Sequence, residues 1–176
     1  MKRVASHFVV LAPEDIRRNA VVELDDNSVL TQVFDLNDSH VESAHTLFFD
    51  GIISAPIVSL SSHVDEDKII ELTTNYHFID FSKEISTKEI LPNGKPLLID
   101  FGTEIPLEIN AILPKLSIVL SAFSVFEIIS ACVFYPALLL TGSSPLEIGV
   151  RTSLIIWQNA DLLNKTLIEK TNISSL

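Results

Sequence analysis

Both ends of this 176-residue chain carry strand patterning, and the middle alternates between strand and helix signals. That order restricts the chain to an α+β protein. Val4–Leu11 is an apolar strand; Asn19–Leu24 and Val29–Phe34 are two more, joined by Asp25-Asp26-Asn27-Ser28, whose residues suit a tight hairpin turn. Thr46–Phe49 is a fourth, and Asp50-Gly51 reads as a turn into Ile52-Ile53, so the first third reads as a β-meander. Near the other end, Ser153–Trp157 reads as a buried strand, and Lys165–Ile168 and Asn172–Leu176 as short strands around a turn at Glu169-Lys170-Thr171. Between them Pro56–Leu60, Tyr76–Phe81 and Pro96–Phe101 are strand-like, while Glu66–Thr74 and Ser86–Leu91 are helical. This βαβαβ order predicts a small parallel sheet. A complete (β/α)8 barrel is excluded, since it takes roughly 200 residues or more.

The apolar run Leu116–Leu140 is about long enough to cross a bilayer, and a membrane anchor is the function class it would imply. Three features argue against a single span. Glu127 places a carboxylate in mid-segment; Pro136 disfavours a helical conformation for Tyr135; and Ser124-Val125-Phe126-Glu127 spells a capping box, which starts a new helix inside the run. The expectation is two helices, one ending near Phe123 and one starting after Ser124.

Twelve basic against 23 acidic side chains give a net charge of -11, with no cluster of Lys, Arg and aromatics. Phosphate backbones need the opposite sign, so nucleic acid is not an expected partner. Cys132 is the single cysteine; it supports neither a disulfide nor a Cys-based metal site within one chain and points to a reducing, cytoplasmic setting. Met1-Lys2-Arg3 followed by VASHFVVLA is better read as a strand than as a signal peptide, because His7 interrupts a short apolar stretch. Without export, the sequons at Asn164 and Asn172 carry no meaning.

Three patches in order resemble the amidohydrolase superfamily, closest to the cytosine and chlorohydrolase-like deaminases, including the aminodeoxyfutalosine deaminase type. FFDGIISAPIVSLSSH at residues 48–63 is similar to the run from the small β-domain into the first barrel strand. Gly102-Thr103-Glu104 looks like the G-T-D that ends the eighth barrel strand. Phe126–Gly142 with Pro145-Leu146-Glu147-Ile148-Gly149-Val150-Arg151 is similar to the last barrel helix and its L-E-x-G-K/R re-entry. The resemblance implies a composite β-sandwich from both termini, residues 1–55 and 145–176, around a truncated barrel remnant with apolar helices, residues 56–144. Only about 40 residues separate His63 from Glu104, so the middle strands of a barrel have no room.

By the same resemblance His63 keeps the place of a second metal-binding histidine and Glu104 that of the aspartate acting on metal-bound water. Ser61 stands where the first histidine of H-x-H would be. A hydrolytic site needs three or more N or O ligands and an open position for water; His77, in the strand-like Tyr76–Phe81, would give a two-His, one-carboxylate set with His63 and Glu104 if it approached His63. The expectation is no catalytic residue, no bound metal and no cofactor, with these three as vestigial ligands. Zinc or iron in a minimal C–N hydrolase is the alternative. Ser61 and Ser62 beside His63 form no nucleophile elbow, since G-x-S-x-G is absent. Asp65-Glu66-Asp67 and Asp25-Asp26 read as a helix N-terminus and a hairpin turn rather than calcium ligands. The helices within Pro106–Leu140 are apolar around much of their circumference. Either they fold over the open sheet of a compact monomer, or two chains pair and cover each other; the expectation is a homodimer, or pairing with a full-length relative.

Overall fold

A computed structural model describes residues 1–37, 45–60, 64–81, 94–102, 122–158 and 169–172. The fold is α+β with a sandwich-like sheet. The chain divides into two compact units, with boundaries at Pro56/Ile57 and Ser143/Ser144.

The first unit is a six-stranded sheet. It contains β1 (Lys2–Ala12), β2 (Asp15–Leu24), β3 (Leu30–Asp35), β4 (Thr46–Ser54), β7 (Ile155–Gln158) and β8 (Glu169–Asn172), in the order β3-β2-β1-β4-β7-β8. The β2–β3 turn is the one the sequence predicts. Asp25 accepts the amides of Asn27 and Val29, each at 2.8 Å, so its side chain satisfies the turn that its own backbone begins.

Three sequence expectations are corrected in this unit. β4 does not extend the meander but returns parallel to β1. Asp50-Gly51 is not a turn; β4 runs straight through it, and the register slips between Ser6 and Phe8 of β1, a bulge that absorbs the extra residue. Gly51 holds φ 147° and lies so close to Trp157 that a Cβ would sit 2.1 Å from its carbonyl oxygen. Glu169-Lys170-Thr171 belongs to β8 rather than to a turn, paired antiparallel with β7. The neighbouring Lys165–Ile168 lies outside the described residues, as does most of Asn172–Leu176.

The sheet rolls. Arg151 bridges to Val29 beside the outer strand β3, where the Leu30 amide reaches the Val150 carbonyl at 3.0 Å. A few residues later the same segment becomes β7 and pairs with β4 on the other side of the sheet. At roughly 3.3 Å per residue the two sides must therefore approach each other. Consecutive residues are buried in β2 (Ala20–Leu24) and β4 (Gly51–Ser54), so both faces of the sheet are covered there. Three polar groups inside are paired, whereas the Thr46 hydroxyl is buried without a partner among the described residues. Arg3 donates to Glu23 at 2.6 Å, Thr31 donates to the same carboxylate at 3.1 Å, and the Trp157 indole N–H donates to Ser54 at 2.7 Å.

The second unit holds α1 (Glu66–Asn75), the parallel pair β5 (His77–Asp80) and β6 (Leu97–Asp100), and a helical run. That run consists of α2 (Val125–Ile129), a π-helical turn (Ser130–Phe134) and α3 (Tyr135–Thr141). Asp65 caps α1, accepting from the Lys68 amide at 2.9 Å, which accounts for the acidic run there. The capping box is present, with Ser124 and Glu127 bonded reciprocally at the start of α2. Gly142 ends α3 at φ 74°, the left-handed conformation of a helix stop.

Two expectations are corrected in this unit. Pro136 does not exclude Tyr135 from a helix: Tyr135 is helical at φ -62° and ψ -44°, because the chain passes the proline through the π-turn. Pro56–Leu60 forms no strand, and the amides of Val58 and Leu60 are satisfied elsewhere, as described below. Ser86–Leu91 and residues 106–121, including the helix expected to end near Phe123, lie outside the described residues. Among the described residues no helix is long and apolar enough to cross a membrane.

Candidate functional site

The carboxyl ends of β5 and β6 gather the chemistry of the second unit. HFID and LLID pair in register from His77 opposite Leu97 to Asp80 opposite Asp100, which places two carboxyl groups side by side at one end. All four residues of β6 are buried, and Asp100 is only 2% exposed. A buried carboxylate needs hydrogen-bond donors. Its Oδ1 receives the Leu60 amide at 3.0 Å and the Gly102 amide at 3.2 Å. The Ser59 hydroxyl lies 3.5 Å from that oxygen and donates closely to the Gly102 carbonyl.

Hydrophobic packing fixes this arrangement from below. Leu60, Leu72 and Leu98 form a buried cluster against Val64, Tyr76, Phe78, Tyr135, Leu139 and Leu140. The Phe81 amide reaches the Asp100 carbonyl at 2.7 Å, and the rings of Phe81 and Phe101 lie 5.2 Å apart. Among the described residues Ile57–Leu60 has no ladder and is held by two backbone amides, Val58 on the Cys132 carbonyl at 3.0 Å and Leu60 on Asp100, together with the Ser59 hydroxyl on the Gly102 carbonyl.

His77 is not at this end. It opens β5, its amide donates to the Pro96 carbonyl at 2.9 Å, and its ring lies edge-on to Phe123 at 6.0 Å. Three steps along a strand separate it from Asp80, roughly 10 Å. His63 and Glu104 lie outside the described residues, as do Ser61, Ser62 and Thr103. Among the described residues no three His, Cys, Asp or Glu side chains lie together as a metal set. Burial of Cys132 pushes its thiol well above the usual range, so it stays protonated and non-nucleophilic.

A shallow hollow of about 360 Å³ beside the start of α1 is lined by Val64, Asp65, Asp67, Lys68 and Glu71. Asp65 is committed to capping and Lys68 to Glu71 at 2.7 Å, so it presents little unspent chemistry. Sequence reasoning missed Asp100 and Ser59. The available signal was an acidic residue closing the apolar run LLID, which demands donors from elsewhere in the chain.

No family model, no curated protein and no solved structure matches the chain.

Proposed function

We propose that the protein is a non-catalytic, amidohydrolase-like chain with a structural or interaction role, self-associating as a homodimer. The observation that carries this reading is the place of His77. Barrel hydrolases collect their ligands at the carboxyl ends of parallel strands, whereas His77 stands at the amino end of β5, in register with Leu97. At the carboxyl end, Asp100 spends Oδ1 on two backbone amides. That is the work of a group that fixes loops.

Two features support the likeness itself. One sheet takes strands from both ends of the chain, and Ser59 bonds to Gly102, as neighbouring first and last strands of a closed barrel would allow. Leu47, Phe48 and Ile148, at 55%, 48% and 70% exposure, supply apolar surface for self-association.

The second reading is a minimal zinc- or iron-dependent C–N hydrolase. It is favoured by one relationship: the amides of Leu60 and Gly102 share one carboxylate oxygen, and the chain continues from these residues to His63 and Glu104. Size-exclusion chromatography with light scattering, with metal content measured on the same peak, separates the two. A metal-free dimer is the expected result. Stoichiometric zinc or iron that is lost in His63→Ala and Glu104→Ala overturns it and establishes the hydrolase, and a metal-free monomer removes the homodimer.

A further inference from the structure

Ile57–Leu60 has no strand partner among the described residues, and each of its two amide acceptors is available for a physical reason. In an α-helix the Cys132 carbonyl would accept from the amide of residue 136. That residue is Pro136, which has no N–H and whose ring crowds the carbonyl four residues back. The π-turn relieves this crowding, with the Tyr135 amide reaching back to the Ser130 carbonyl, and Val58 takes the Cys132 oxygen at 3.0 Å. The second acceptor is Asp100, whose buried charge requires donors and takes Leu60.

We infer that the Cys132 carbonyl freed by Pro136 and the Asp100 carboxylate, with the Ser59 hydroxyl on the Gly102 carbonyl between them, clasp Ile57–Leu60, making this segment a strap that opens without unfolding the rest of its unit. Ile57, Val58 and Ser59 are half-buried, and Leu60 alone inserts fully into the apolar cluster. A segment with one buried anchor and no ladder opens at lower free energy than β6, which is buried at every residue. Opening bares the Asp100 carboxylate, which loses the Leu60 amide, and the Gly102 carbonyl, which loses the Ser59 hydroxyl, at the carboxyl end of a parallel pair, the end at which such sheets receive ligands. The strap thus governs access to that end, whether or not the chain is amidohydrolase-like.

Native-state hydrogen exchange across sub-denaturing urea tests the clasp, comparing the amides of Val58 and Leu60 with those of Leu98 and Ile99. In the unaltered protein Val58 and Leu60 exchange about tenfold faster or more, with little urea dependence, as local opening requires. Pro136→Ala restores an N–H that competes for the Cys132 carbonyl and speeds Val58 a further roughly 3- to 10-fold. Asp100→Asn, which keeps an oxygen but removes the charge, does the same at Leu60; in both variants Leu98 and Ile99 keep their rates. The inference is overturned if Val58 and Leu60 share the rates and urea dependence of Leu98 and Ile99, or if Pro136→Ala leaves Val58 unchanged. Should either variant fail to fold, the urea series on the unaltered protein still decides.

Discussion

Gly51 faces the backbone carbonyl of Trp157 so closely that a Cβ would lie 2.1 Å from its oxygen. Two strands from opposite ends of the chain meet there, since Gly51 pairs with Gln158 and Ile52 with Trp157. Gly51→Ala meets both that collision and a φ of 147°, which residues with a side chain rarely adopt. It is expected to cost about 3 kcal/mol or more. Urea unfolding followed by the fluorescence of Trp157, the one tryptophan, measures it; a loss below about 1 kcal/mol would show that the strands do not approach this closely.

Ser54 sits diagonally from Trp157 on the same ladder and accepts its indole N–H at 2.7 Å while donating to the Ala55 carbonyl at 2.8 Å. Ser54→Ala leaves the buried N–H without an acceptor and costs about 1–3 kcal/mol. Ser54→Thr keeps the oxygen and recovers part of the loss. The same urea series checks both variants, and equal midpoints for the two would remove the hydrogen bond from the account.

Glu23 is 7% exposed between Arg3 and Thr31 on neighbouring strands. Breaking such a pair from one side strands the other charge, so Arg3→Ala is expected to cost about 3 kcal/mol. Replacing both, as Arg3→Met with Glu23→Leu, costs less than the single change, because Thr31 retains the Glu23 backbone carbonyl at 3.1 Å as an acceptor. A double-mutant cycle in urea decides; additive losses would mean that the pair is not coupled.

Local signals were legible in the sequence, and signals that depend on a distant partner were not. The Ser124–Glu127 capping box and the Asp25 turn close within a few residues, so their residue types declare them. Asp50-Gly51 misleads because Asp-Gly is a turn signal by itself, whereas the reason for this glycine is Trp157, far along the chain. Pro136 misleads similarly. Its cost to a helix and the π-turn that absorbs it are local, but the Val58 amide that takes the freed Cys132 carbonyl is not. The apolar pattern of Pro56–Leu60 fits a strand; only the donors it offers to Cys132 and Asp100 reveal a strap. Of the candidate ligands, His77 is placed by the register of β5 against β6, a pairing that no spacing announces.

Cys132 gives the last prediction and its sign. The thiol is fully buried in the π-turn, and desolvation of the thiolate raises its pKa above the ordinary thiol value of 9.0. Its contribution to stability is complete below that value. As pH rises above about 9 the unfolded chain releases the proton while the folded chain keeps it, so the unfolded state binds fewer protons and stability falls. Cys132→Ala is expected to flatten this alkaline decline while lowering stability at neutral pH through the small cavity it leaves. Alkylation at pH 8 provides the companion test: no modification in the native protein, and complete modification in urea. A thiol that reacts under native conditions would place Cys132 at the surface and remove the buried π-turn from which the strap argument starts.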